Sequence, residues 1–328
     1  MARVGVIGGG AFGTAMACVL RRSQHQVCLW AREPEVVTAI NEQCANPLFL
    51  AGVTLDPGIR ASADLAEAVR EADFLLMAVP AQHVRAVALV LRPALAEGTP
   101  VVSCSKGMER ASCALMPEVL AEALPHARIA MLSGPSFARE IAGGLPCGVA
   151  LACAESGLAR ELAGEIANQR FCVHPGDDVV GTAIGGVMKN IVAIACGVAA
   201  GRRLGENARA TLLSLGLAET VRFGQAKGAR SETFLGLAGA ADMMLTAASL
   251  QSRNTSLGVA LGEGRRLEDV LAARREVTEG VASAEAVVAL ARRLGVDMPV
   301  ARAVDEVVNR GAGLDAAVAR VMARAALG

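Results

Sequence analysis

Two charged side chains stand where their neighbours predict burial. Lys189 interrupts the apolar and small-residue run Ile184–Val198, and Asp242 interrupts Phe234–Leu245; each is the only charged residue in its stretch. An unpaired buried charge costs several kcal/mol or shifts its pKa. Such a cost is tolerated chiefly where the charge has a partner or a task. A desolvated lysine with a second cation nearby, such as Lys106, falls in pKa towards neutrality and becomes able to exchange a proton. A neighbouring Asp242 would push the other way. The chain has no tyrosine, so no phenol can act as acid. His25, His83, His126 and His174 are alternative bases. All four fall at the ends of predicted elements, where a surface position is expected. Lys189 read instead as a snorkelling helix residue meets no polar face in its run.

A second signal lies near the start. Gly8-Gly9-Gly10-Ala11-Phe12-Gly13 has the spacing G-x-G-x-x-G, directly after a strand pattern and at the opening of a helical one. In that context Gly8 allows a tight turn, Gly10 lets a pyrophosphate approach the backbone, and Gly13 lets helix and strand pack closely. The phosphates would sit at the helix amino end, where N–H groups and the dipole favour anions. After the second strand pattern the chain reads Ala31-Arg32-Glu33. A NAD site usually offers a carboxylate there to the ribose hydroxyl. Here Arg32 could pair with a 2′-phosphate instead, which favours NADP, while Glu33 keeps NAD open.

Three further clusters look chemical. Ser103-Cys104-Ser105-Lys106-Gly107 and Ser133-Gly134-Pro135-Ser136-Phe137-Ala138 close strand patterns, at the carboxyl ends where doubly wound folds bind ligands. Ser252-Arg253-Asn254-Thr255 joins a guanidinium to an amide and two hydroxyls, a set suited to phosphate. Read alone, each is also an ordinary loop with helix caps.

Composition narrows the partners. Basic and acidic residues balance at 32 each, which gives no electrostatic reason to expect nucleic acid or an anionic membrane. Aromatics are 2%, too few for base-stacking platforms. The longest apolar run, Ile191–Ala200, is about half of what a membrane helix requires, so no membrane insertion is expected. Met1–Ile7 runs straight into a strand pattern without a leader pattern. The nine cysteines show no C-x-x-C pair, which predicts reduced, buried thiols, a cytoplasmic protein and no metal site.

These residues need a scaffold. Val4–Ile7, Val27–Trp30, Phe74–Val79, Val101–Cys104, Ile129–Leu132 and Gly148–Ala152 read as strands buried on both faces. Helical spacing over Thr14–Arg22, Pro34–Cys44, Gln82–Leu91, Leu115–Leu124 and Ala159–Asn168 separates them. The alternation predicts an α/β domain with a parallel, doubly wound, Rossmann-type sheet over residues 1–178. After Asp178 no strand pattern follows. Helical periods over Val180–Ala200, Asn207–Ala226, Ala238–Gln251, Leu267–Ala273, Val281–Leu294, Val300–Asn309 and Ala316–Ala326 predict an all-α domain over residues 179–328, carrying substrate binding and catalysis. Its apolar character would suit a homodimer.

The order of these blocks resembles the bacterial NAD(P)-dependent glycerol-3-phosphate dehydrogenase family over essentially the full length. The segments that carry the resemblance are Gly8–Ala15, Val79-Pro80, Ser105-Lys106-Gly107, Ser133–Ala138 with Glu140, Met188-Lys189-Asn190, Gly239–Asp242, Ser252-Arg253-Asn254 and Glu279-Gly280. The resemblance implies reversible reduction of dihydroxyacetone phosphate to sn-glycerol 3-phosphate for phospholipid synthesis, a small phosphorylated three-carbon substrate. It implies Lys189 as proton acceptor. It places Lys106, Gly134, Ser136, Lys189, Asp242, Ser252, Arg253 and Asn254 on the substrate. Ala11, Phe12, Arg32, Lys106, Ala138, Arg253 and Glu279, with Phe49 and Val277, would line the cofactor. Phe12 stands where many members have tryptophan. Ala241 stands where the family usually has glycine, and its methyl would crowd the substrate or exclude a positive φ. Of the sister families, 3-hydroxyacyl-CoA dehydrogenases rely on a His–Glu pair not evident here, and 6-phosphogluconate-type dehydrogenases carry different lysine and asparagine contexts. A non-catalytic NADP sensor would need neither Lys189 nor the Ser252–Asn254 cluster.

Overall fold

Short apolar runs become strands here because both of their faces are covered. The computed structural model describes residues 1–274 and 277–325. The strands are β1 (Arg3–Ile7), β2 (Gln26–Trp30), β3 (Ile59–Ser62), β4 (Phe74–Met77), β5 (Pro100–Ser103), β6 (Arg128–Ser133), β7 (Cys147–Cys153) and β8 (Phe171–Gly176). They form one sheet in the order β3-β2-β1-β4-β5-β6-β7-β8. Val4 pairs with Val27 on one side and Phe74 on the other. Val6, Ile7, Leu29, Leu75, Leu76, Val101 and Leu132 are fully buried in it.

The sheet departs from the expected one in two ways. β7 runs antiparallel to β6, and β8 runs parallel to β7, so the sheet is parallel-dominated rather than wholly parallel. β3 and β8, absent from the sequence expectation, are its two edges. Edge strands need not be apolar on both faces, and Pro175 is tolerated within β8 for that reason. Around the sheet lie α1 (Ala11–Arg22), α2 (Pro34–Gln43), α3 (Leu65–Val69), α4 (Val84–Leu91), α5 (Met116–Ala123), α6 (Ala138–Ala142) and α7 (Ser156–Ile166).

The remaining chain is helical: α8 (Val179–Gly201), α9 (Glu206–Ala226), α10 (Asp242–Ala248), α11 (Arg253–Gly262), α12 (Leu267–Ala272), α13 (Glu279–Leu294), α14 (Pro299–Arg310) and α15 (Leu314–Ala325). Two compact units result. One comprises Met1–Ser105 and Met116–Val179, and the other comprises Lys106–Leu115 with the chain from Val180 onward. Within the second unit the Met108 N–H donates to Ser283 Oγ (3.3 Å), and Arg110 pairs with Glu285 (2.8 Å). Buried Glu219 on α9 accepts from the N–H groups of Val300 and Ala301, closing the amino end of α14.

α8 spans 23 residues, longer than its apolar core suggested, and by length and composition it could cross a membrane. Yet 83% of its most apolar window is buried inside the protein. It packs against α11 at very short range. A Cβ on Gly197 would lie 2.2 Å from the Thr255 carbonyl oxygen, and one on Gly258 would lie 2.1 Å from that of Ile194.

Other expectations need correction. His25 is buried, not on the surface. Its Nδ1 accepts from the Ala2 N–H (3.0 Å) and its Nε2 lies 2.7 Å from the Glu165 carbonyl oxygen, so it bridges core elements. Burial, expected for all the cysteines, holds for Cys18, Cys104, Cys113, Cys153 and Cys196; Cys28, Cys44 and Cys147 are half-buried and Cys172 is exposed.

Candidate active site

In the first unit the glycine turn follows β1. Gly8 has a φ of 126°, a conformation that side chains rarely allow. A Cβ on Gly13 would fall 1.9 Å from the Gly8 carbonyl oxygen, so α1 meets the turn only without a side chain there. A Cβ on Gly10 would meet nothing within 4 Å. That open space faces a helix amino end with no side-chain cap and no acidic residue in its first turn. The turn therefore fits a dinucleotide pyrophosphate. Ala11, Phe12, Phe49 and Ala138 are partly buried and pack against the same core. At the end of β2, Ala31 is buried and Arg32 is exposed. The Arg32 guanidinium donates to Glu33 Oε1 through Nη2 (2.7 Å) and Nε (3.1 Å). Ser136 Oγ donates to the Gly134 carbonyl (2.7 Å) just beyond β6.

The second unit brings three predicted residues together. Lys189 Nζ donates to Asp242 Oδ1 (2.6 Å), and Lys106 Nζ donates to Asp242 Oδ2 (2.9 Å). The Asp242 carboxylate is 1% exposed, while each lysine keeps 12% of its side chain accessible. Burial lowers the Lys189 pKa to about 8, with Asp242 opposing and Lys106 reinforcing that shift. Burial pushes the Asp242 carboxyl up, but the two lysines outweigh it and hold the group below its ordinary range. One carboxylate between two ammonium groups leaves a positive excess suited to a phosphorylated substrate.

Further residues hold this cluster in place, and two of them, Asn190 and Thr246, have no role in the sequence reading. Asn190 follows Lys189 on α8, and its Nδ2 donates to the Lys106 carbonyl (2.8 Å). Asn254 Nδ2 donates to Asn190 Oδ1 (2.8 Å), and Asn254 Oδ1 accepts from the Gly280 N–H (3.0 Å). Glu279 precedes that glycine at the start of α13, and Val277, just before it, is exposed. One turn after Asp242, Thr246 Oγ1 donates to the Asp242 carbonyl (2.6 Å). Thr255 Oγ1 donates to the Thr246 carbonyl (2.6 Å). An amide beside the lysine and a threonine at i+4 from the aspartate were the signals to read.

The Ser252 cluster is the amino end of α11. Ser252 Oγ accepts from the Thr255 N–H (3.2 Å), and Arg253 occupies the first helical position, exposed. Leu237–Ala241 forms a π-helical turn leading into Asp242, a distortion often found at functional sites. Ala241 has φ −63° and ψ −46°. The expected conflict with a positive φ is therefore absent, because the backbone there is ordinary helix that alanine adopts freely.

The comparisons with known proteins agree with one another. Residues 3–159 match the model of the NAD-dependent glycerol-3-phosphate dehydrogenase N-terminus, and residues 178–319 match that of its C-terminus. The chain is 52% identical over 321 residues to a glycerol-3-phosphate dehydrogenase [NAD(P)+] of Rhodospirillum rubrum, covering 98% of this chain and 92% of that one. It is 51% identical to the enzyme of the same name from Parvibaculum lavamentivorans, covering 98% and 96%. A crystal structure of glycerol-3-phosphate dehydrogenase from Coxiella burnetii superposes with a TM-score of 0.94 at 33% identity, covering 98% of both chains. With both family halves matched in order along one chain, this protein belongs to the NAD-dependent glycerol-3-phosphate dehydrogenase family.

Proposed function

We propose that the chain catalyses reversible, NAD(P)-dependent reduction of dihydroxyacetone phosphate to sn-glycerol 3-phosphate, which supplies glycerophospholipid synthesis. The observation that carries this reading is buried Asp242 held between Lys189 and Lys106. The nicotinamide, when bound, supplies or accepts the hydride. Lys189 moves the proton. In reduction its ammonium protonates the carbonyl oxygen as that oxygen becomes a hydroxyl; in oxidation the neutral amine takes the proton back. Asp242 fixes the direction of the Lys189 ammonium and offsets part of the burial cost. In this reading Lys106, Gly134, Ser136, Asp242, Ser252, Arg253 and Asn254 contact the substrate. Gly8, Gly10, Ala11, Phe12, Gly13, Arg32, Phe49, Lys106, Ala138, Arg253, Val277 and Glu279 hold the cofactor. Arg32 favours NADP over NAD, against the pull of Glu33. The domain roles in this reading are dinucleotide binding over 1–178 and substrate chemistry over 179–328, and the working form is a cytoplasmic homodimer.

The test is NADPH oxidation with dihydroxyacetone phosphate, compared with unphosphorylated dihydroxyacetone. Turnover with the first and little with the second is expected. Lys189→Ala should lower kcat by roughly 10²–10⁴-fold, the usual worth of a positioned general acid, while NADPH still binds. Normal turnover in Lys189→Ala would remove the proposed role.

A further inference from the structure

Asn46 lies in the connection after α2, outside every role assigned above. Asn46 and Thr14 are both 0% exposed, and a buried primary amide must satisfy its polar atoms inside the protein. Asn46 Nδ2 donates to the Gly9 carbonyl oxygen (2.8 Å) and to Thr14 Oγ1 (2.8 Å). Thr14 Oγ1 donates in turn to the same Gly9 oxygen (3.3 Å). Asn46 Oδ1 accepts from the Phe49 N–H (3.2 Å). One side chain thus ties together the centre of the glycine turn, the first turn of α1 and the segment that carries Phe49.

The bond to Gly9 has a directional consequence. A trans peptide plane holds its C=O and N–H nearly antiparallel. The plane that contains the Gly9 carbonyl also contains the Gly10 N–H. Drawing that carbonyl inward to Asn46 turns the Gly10 N–H the opposite way. A Cβ built on Gly10 meets only open space, which is the room a pyrophosphate requires. We propose that Asn46 is a positioning residue for the dinucleotide: it aims the Gly10 N–H at the pyrophosphate and sets the segment bearing Phe49. The proposal rests on the cofactor reading above. The segment has other anchors, since Leu50 and Leu55 are buried and Ala45 bridges Thr54. Removing the amide should therefore loosen the direction of the turn more than it unfolds the loop.

Trp30, the only tryptophan, accepts the Gly8 N–H at its carbonyl (3.0 Å), so its fluorescence reports on this turn. Energy transfer from Trp30 to bound NADPH gives the dissociation constant for wild type, Asn46→Ala and Thr14→Val. In Asn46→Ala we expect NADPH Kd to rise about tenfold, the equivalent of ~1.4 kcal/mol. At saturating NADPH, kcat and the KM for dihydroxyacetone phosphate should stay within about twofold, a split that general loosening of the core would not produce. Thr14→Val, which keeps the shape and loses one partner, should weaken NADPH in the same direction by less. A folded Asn46→Ala with unchanged NADPH Kd overturns the proposal. If circular dichroism shows Asn46→Ala unfolded, Thr14→Val decides on the same readout, and an unchanged Kd there overturns it. Wild type that binds neither NADPH nor NADH overturns the cofactor reading and this proposal together; wild type that binds while both variants match it overturns this one alone.

Discussion

The Lys189 ammonium is under three influences of different sign. Burial lowers its pKa, Asp242 raises it, and Lys106 lowers it, with a net value of about 8. With Lys189 as the proposed proton carrier, oxidation of glycerol 3-phosphate requires the neutral amine, so its rate should climb with pH and level off above about 8. Reduction requires the ammonium, so its rate should hold at neutral pH and fall above about 8. Variants separate the causes. Asp242→Asn removes the raising charge, and the oxidation limb should move to lower pH. Lys106→Met removes a lowering charge and leaves Asp242 to Lys189 alone, so the limb should move to higher pH. The pH dependence of kcat in both directions measures this. Limbs that stay put in both variants, or move the same way in both, would assign the titration to another group.

At the scale of elements, the lysine is placed by how closely α8 meets α11. Gly258 sits against the Ile194 carbonyl and Gly197 against that of Thr255, with no room for a methyl on either. Gly258→Ala should therefore destabilise by about 1–3 kcal/mol or more through overpacking, read as a lower urea midpoint. An unchanged midpoint would mean that the helices can separate at no cost. This packing also explains what was legible in the chain. Lys189 and Asp242 announced themselves as lone charges in apolar runs, and the fingerprint at Gly8–Gly13 stood between a clear strand and a clear helix. The Lys106–Asp242 pair joins residues 136 apart in sequence, and no local pattern encodes that distance. α11 escaped notice because its buried face uses Gly258 and Gly262 beside Leu257 and Leu261, which weakens the periodic apolar signal. β3 and β8 escaped because edges tolerate Arg60, His174 and Pro175. The π-helical turn before Asp242 has no sequence signature at all.

At the scale of the whole molecule, the chain crosses between its two units more than once. Lys106–Leu115 groups with the helical unit although the flanking residues belong to the sheet unit. Within the helical unit this short segment supplies Lys106 to Asp242, its Lys106 carbonyl to Asn190, its Met108 N–H to Ser283, and Arg110 to Glu285 and Asn309. A cut between residues 178 and 179 therefore does not isolate a complete helical unit. The fragment 179–328 would keep Asp242 buried with one lysine instead of two, and would leave Asn190 Nδ2 with only the Gly186 carbonyl at 3.3 Å. Unpaired buried polar groups cost about 1–3 kcal/mol each, a large share of what a domain of this size has to lose. Fusing Lys106–Leu115 to residues 180–328 through a flexible linker should raise the urea midpoint above that of 179–328 alone. A fusion in which Lys106 is replaced by methionine should recover only part of the gain, because the Met108 and Arg110 contacts remain while Asp242 Oδ2 loses its lysine and the carboxylate is left to Lys189 alone. Equal midpoints for all three proteins would show that the segment contributes nothing to the stability of the helical unit.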